Sequence, residues 1–191
     1  MATESMTVQV NIIAFNNPAY PSKLRSGDFL PPPTEIWAIG DIRILQQKLL
    51  GFFCSARCPG DIILKTYDLA RSWRDNGIGV IGGFHSPMEK ECLEFLLRGK
   101  QPLVICPARG IEKMRIPKNW RKPLDEGGLL VVSPFPGKYH RPTIALAAER
   151  NAFVAALADE LFVPYAQSGG KVSEIATQSI LLGKKVKGPI K

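Results

Sequence analysis

The stretch Gly79-Val80-Ile81-Gly82-Gly83-Phe84-His85-Ser86-Pro87-Met88-Glu89 carries a strand, a turn and a helix start in unbroken succession. Gly79–Ile81 is a short apolar run that ends in paired glycines, as a buried strand entering a tight turn would. Ser86 precedes Pro87, and Glu89 follows Ser86 at the spacing of a capping box, with proline at the first helical position. The pattern of Glu89–Arg98 then keeps Cys92, Leu93, Phe95 and Leu96 near one helical face. Strand, turn and capped helix together form one half of a β-α-β unit.

The same rhythm extends in both directions. Apolar runs at Ile36–Ile39, Phe52–Ser55, Leu103–Cys106, Leu129–Val132, Glu160–Val163 and Lys185–Lys187 predict strands. Between them, Ile42–Leu50, Ile63–Asn76, Ile144–Ala158 and Val172–Leu182 predict helices. This alternation predicts an α/β, Rossmann-like fold: a mostly parallel sheet with helices on both faces. Several runs are apolar throughout, as strands covered on both faces must be. Val8–Phe15 reads as a further strand, and the prolines from Pro18 to Pro33 read as extended, irregular chain. The expected organisation is therefore an N-terminal strand and proline-rich segment over 1–34, followed by the Rossmann-like domain over 35–191.

The chain has 191 residues, with 25 lysines and arginines against 17 aspartates and glutamates, a formal net charge of +8. Such a balance points to an anionic partner: nucleic acid, nucleotide or an acidic membrane surface. No run of apolar residues is long enough for a transmembrane helix. The opening Met1–Thr7 carries Glu4 and lacks the basic cluster and apolar run of a secretory leader, so a cytoplasmic location with no membrane partner is expected. Cys54, Cys58, Cys92 and Cys106 form no C-x-x-C pair, and they read as buried reduced thiols with neither a metal site nor a cofactor expected.

In an open α/β sheet, ligands sit beyond the carboxyl ends of the strands. Ser55 and Arg57 follow one strand, where a hydroxyl, a guanidinium and a helix start suit a phosphate. Gly82, Gly83 and His85 follow the next, allowing close approach of a ligand. Arg109, Gly110 and Lys113 open a basic run that continues through Arg115, Lys118, Arg121 and Lys122. Its interleaved Met114, Ile116 and Trp120 suit unstacked bases as well as phosphates. Glu149-Arg150-Asn151 falls within a helical pattern, where Arg150 reads either as a phosphate contact or as half of a surface ion pair. Ser168-Gly169-Gly170-Lys171 opens a helix and is the best anion nest in the chain. It lacks the spacer of a Walker A loop, and no G-x-G-x-x-G is present. No catalytic residue is assigned.

Taken in order, these segments resemble the core of the DNA-processing protein A family (DprA, also called Smf), the DNA recombination mediators. The resemblance starts at Tyr20-Pro21 with Leu24 and at Pro32-Pro33 through Trp37 to Gly40. It continues through Ser55-Ala56-Arg57, Gly82-Gly83-Phe84-His85, Gly110-Ile111-Glu112 with Ile116-Pro117, and Gly128-Leu129-Leu130-Val131-Val132-Ser133. It ends with Arg150-Asn151 and the alanine-rich run behind it, Ser168-Gly169-Gly170, and Gly183-Lys184-Lys185-Val186. The resemblance implies single-stranded DNA binding in a basic pocket at the strand ends without catalysis. It further implies a homodimer and a RecA-type recombinase as partner during transformation. The chain departs from the family pattern at Pro87-Met88-Glu89 with Leu93, where a Gly-Ile-Asp…His signature is usual, and at Ala152, where a second arginine is usual. It reads as a core without the appendages of longer members.

A sister class, the LOG-type phosphoribohydrolases, keeps open a nucleotide-binding or nucleotide-hydrolysing alternative. Its Pro-Gly-Gly-x-Gly-Thr-x-x-Glu mark is only loosely echoed here, because Glu174 follows Gly170 without a second Gly-Thr pair.

Overall fold

The structure, a computed structural model, describes residues 9–26, 29 and 31–188; the first residue of the expected Val8–Phe15 strand lies outside them. Eight strands form one sheet. They are β1 (Asn11–Ala14), β2 (Glu35–Gly40), β3 (Leu49–Phe52), β4 (Gly79–Gly82), β5 (Leu103–Ile105), β6 (Leu129–Ser133), β7 (Glu160–Phe162) and β8 (Lys185–Lys187). Their order is β1-β2-β6-β5-β4-β3-β7-β8. From β6 to β8 all neighbours run parallel, while β2 joins β6 antiparallel and β1 joins β2 antiparallel.

Helices α1 (Gly60–Asp75), α2 (Pro87–Leu96) and α3 (Lys118–Asp125) connect the strands from β3 to β6, which step outward in one direction. Helix α4 (Ile144–Leu157) then carries the chain back to β7 on the far side of β3, and α5 (Lys171–Leu181) leads on to β8. Crossovers of one hand that travel in opposite directions cover opposite faces of a sheet. Accordingly, Trp73 of α1 with Cys92 and Leu96 of α2 pack on Leu50, Phe52 and Val80. Phe153 and Leu157 of α4 with Ala176 of α5 pack on Leu49, Ile81 and Val104. Successive strand residues therefore serve two different cores, which is why the strands contain few polar positions.

Two segments differ from the sequence expectation. The helix expected over Ile42–Leu50 is a 3-10 turn at Ile42–Gln46, capped by Asp41, whose carboxylate accepts the Arg43 N–H at 2.9 Å. The strand then begins at Leu49, ahead of the expected Phe52–Ser55, because Leu49, Leu50, Phe52 and Phe53 alternate between the two cores. Helix α3 falls in what reads as a basic loop. Trp120 and Leu124, one helical turn apart, pack inward, and Lys118, Arg121 and Lys122 stay exposed.

The proline-rich lead-in is tied into the same core. Ile12 lies opposite Trp37 in the β1–β2 pairing, and Tyr20, Leu24 and Phe29 are buried with Phe153. The Phe29 and Phe153 rings meet edge to face at 5.9 Å, and the Tyr20 hydroxyl donates to Pro33 O at 2.8 Å. Asp159 closes the joint, accepting from Lys23 Nζ and from Leu49 N–H, each at 2.7 Å.

Two outcomes follow. Phe52 is 0% exposed and stands among Trp73, Phe84 and Phe162, so Phe52→Ala should cost about 3–5 kcal/mol in urea unfolding. Burial raises the Asp159 carboxyl, but the hydrogen bonds from Lys23 and Leu49 outweigh this and hold it below the usual aspartate range. A carboxyl whose folded value lies below its unfolded one stabilises at pH above the unfolded value, about 4. That stabilisation fades as pH falls through the lower folded value. Asp159→Asn should remove this part of the acid limb when unfolding midpoints are followed from neutral pH downward.

Candidate nucleic-acid interface

The capping box expected at Ser86 and Glu89 forms, and it reaches further than one helix. Ser86 Oγ accepts the Glu89 N–H at 3.3 Å, and Glu89 Oε2 accepts the Ser86 and His85 N–H groups at 2.9 and 2.8 Å. Its Oε1 accepts the Cys54 N–H at 2.8 Å. One buried carboxylate thus fastens the β4–α2 turn to the end of β3. Phe84 inside that turn has φ of 46°, a left-handed conformation that a bulky residue adopts only when its surroundings impose it. Its ring is buried beside Phe52, and the next two N–H groups are held by Glu89.

Arg150 approaches from the other face. It shares the inner face of α4 with Leu146, Phe153 and Val154 and is only 5% exposed, so it is not half of a surface pair with the exposed Glu149. The helical period decides this, since residues three and four apart share a face. Its Nη1 donates to Cys106 O at 3.0 Å, and its Nε donates to Asn151 Oδ1 at 2.8 Å. Burial pulls the Arg150 pKa downward, opposed by the neighbouring charge of Glu89. The guanidinium lies so close to Gly83 that a Cβ there would overlap it, which explains the glycine.

Around Arg150 opens a cavity of about 510 Å³ between the ends of β4 and β5 and the start of α4. Gly83, His85, Arg109 and Arg150 line it with the apolar Pro107, Ala147 and Ile144, and among the described residues no carboxylate lines it. Thr143 caps α4, its hydroxyl accepting the Leu146 N–H at 3.2 Å, so a helix N-terminus meets the same space. Two guanidinium groups, an imidazole and a helix N-terminus on an apolar wall are a setting for an anion that carries an apolar group.

Four of the expected residues therefore come together: Gly83, His85, Arg109 and Arg150. Asn151 orients Arg150, and Gly82 is spent on the sheet, its carbonyl accepting the Cys106 N–H at 2.9 Å. Ser55 Oγ accepts the Gln167 N–H at 2.9 Å, which ties the end of β3 to the loop before α5. Arg57 is exposed in the β3–α1 loop and Lys113 in the β5–α3 loop, neither lining the cavity. Ser168, Gly169, Gly170 and Lys171 stand at the start of α5, also away from the lining. There Gly170 N–H goes to Gln167 O at 2.9 Å, and Lys171 Nζ pairs with Glu174 at 2.8 Å, so the expected nest is partly self-satisfied. Gly110 N–H donates to Tyr139 O, and a Cβ there would meet Pro136 O, so this glycine packs two loops together.

Sequence reasoning passed over Thr143, Ile144 and Ala147. The available signal was the threonine standing directly before a helical pattern. The four cysteines are free thiols; Cys58 is only half-buried, and burial pushes Cys92 and Cys106 up to about 12. Among the described residues, no group of three or more histidines, cysteines or carboxylates suits a metal, and no helix is long and apolar enough to cross a membrane.

Glu89→Gln keeps the shape but turns an N–H donor toward backbone donors. It should lower stability by about 1–3 kcal/mol, read as a shifted urea midpoint with an unchanged slope.

A comparison with curated proteins finds no significant match. Among solved structures, DNA processing protein A from Helicobacter pylori, studied for its single-stranded DNA binding mode, aligns with a TM-score of 0.71 at 19% identity. That alignment covers 94% of this chain and 80% of the other. DNA processing protein A (DprA) from Streptococcus pneumoniae aligns with a TM-score of 0.76 at 16% identity over 95% of this chain, which spans 64% of that protein's chain. At these identities the likeness establishes the fold, an α/β sheet of the kind described above. The sequence model for DNA recombination-mediator protein A matches residues 11–186, nearly the full length, and the chain belongs to that family.

Proposed function

We propose that this protein binds single-stranded DNA at the carboxyl edge of its parallel sheet and acts in DNA processing as a recombination mediator, without catalysing a reaction. The observation that carries the reading is the basic cavity at the start of α4, in a chain of the recombination-mediator family. Arg150 and Arg109 supply donors for phosphate oxygens, and Ile144 and Pro107 supply an apolar wall for sugar or base. In this reading Arg57, Lys113 and Lys171, exposed in loops and at a helix start that follow strands of the same sheet, extend its electrostatic reach. The structural relative from Helicobacter pylori, whose single-stranded DNA binding has been described, supports the choice of ligand. In this reading the protein works in the cytoplasm as a homodimer and hands the strand to a RecA-type recombinase.

The hydrolase alternative is less well supported. Glu174, the carboxylate it would need, is exposed, tied to Lys171 and away from the cavity.

The test is a salt titration of fluorescent oligo(dT), with duplex and mononucleotide controls. Log affinity should fall linearly with log salt at about −0.7 per phosphate contacted. Arg109→Ala and Arg57→Ala should each flatten that slope by about 0.7 without sequence preference. An affinity indifferent to salt and to both substitutions would overturn the proposal.

A further inference from the structure

We infer that the cavity at the start of α4 holds a terminal phosphomonoester with its nucleoside, the end of a strand, in preference to an internal phosphodiester. This rests on the DNA-binding reading and adds what the site selects.

The first observation is the depth of the charge. Arg150 is 5% exposed at the floor, and two of its nitrogens are engaged by Cys106 O and Asn151. Its Nη2 has no partner among the described residues, although the side chain lines the cavity. The second is the rim. The side chains of Arg109 and His85 also have no partner among the described residues, and no carboxylate in the lining offsets them. The N–H groups in the first turn of α4 add the positive end of a fourteen-residue helix.

A phosphomonoester carries about −1.5 to −2 at neutral pH, against −1 for a diester. Several cationic donors lining one cavity, one of them buried, favour the more highly charged group. Size agrees. About 510 Å³ falls within the range of small-ligand pockets, roughly 300–1,000 Å³, and the cavity opens to solvent at its mouth. An internal phosphate must lead chain away on both sides, whereas a terminal one needs a single exit. Ile144, 83% exposed at the mouth, offers the departing nucleoside an apolar ledge.

The experiment compares 5′-phosphorylated, 3′-phosphorylated and unphosphorylated oligo(dT) at one ionic strength. An unphosphorylated strand two nucleotides longer serves as charge control, since two added diesters match a doubly charged terminal phosphate. A phosphorylated end should tighten binding at least about tenfold over that control, and thymidine monophosphate should compete the gain away. The two phosphorylated arms distinguish which end is read. Ile144→Glu places a carboxylate at the mouth of an exposed first helical turn, where the fold tolerates it. It should abolish the gain with an unchanged unfolding midpoint, and Arg109→Ala should reduce it. Equal binding of phosphorylated and control strands overturns the inference; if that binding stays salt-dependent, the DNA-binding reading stands. Binding of the monophosphate with no oligonucleotide binding overturns both.

Discussion

A buried carboxylate and a buried guanidinium, Glu89 and Arg150, stand on opposite sides of the strand ends: Glu89 fixes the turn beside the cavity, and Arg150 lines it. Burying either charge without partners would be prohibitive. Glu89 meets this cost by accepting three backbone N–H groups from two separate segments, Cys54 at the end of β3 and His85 and Ser86 at the start of α2. Those bonds fix the turn in which Phe84 is left-handed and bring Gly83 against Arg150. Arg150 is compensated less fully. It holds one backbone carbonyl and one amide oxygen and feels the Glu89 charge. A guanidinium kept dry with donor capacity to spare is stabilised by any anion that enters. The same arrangement that strains the fold locally therefore leaves donor capacity facing the cavity.

The sheet topology explains why these two residues can meet. Glu89 lies on α2, which covers one face, and Arg150 lies on α4, which covers the other. Only at the carboxyl ends of the strands does the sheet stop separating them. The reversal of direction after β6 sends α4 to the second face and places its first turn over the ends of β4 and β5. Helix N-terminus, arginines and glycine turn converge there because of the winding, although they are distant in sequence.

The lead-in bears on the same point. Asp159 grips Lys23 and the first residue of β3, and Tyr20, Leu24 and Phe29 fill the core beneath α4. They support the helix that carries Arg150, which gives the proline-rich segment a structural part in the site.

Much of this was legible in the chain itself. Local signals are strong where a short stretch completes its own interaction, and the capping box at Ser86 and Glu89 is such a case: hydroxyl, carboxylate and the N–H groups they bind lie within one turn. The parallel strands were legible too, because two covered faces demand unbroken apolar runs. The β3 start and α3 were not. Ile42–Leu50 carries apolar residues compatible with either period, and lysines and Pro123 obscure the Trp120–Leu124 spacing. The site was legible in part. A glycine turn or an arginine at a strand end has a recognisable position, yet position does not say what the group touches. Gly110 and Gly170 spend their N–H groups on neighbouring carbonyls, while Arg150, whose position in a helix reads as either a phosphate contact or half of a surface ion pair, is buried and lines the cavity. Sequence by itself determined the alternation of elements, the helix cap and the excess of positive charge, because these depend on neighbours along the chain. Tertiary structure alone decided which of those charges are dry, paired or open to a ligand, because that depends on packing between segments the chain brings together only when folded.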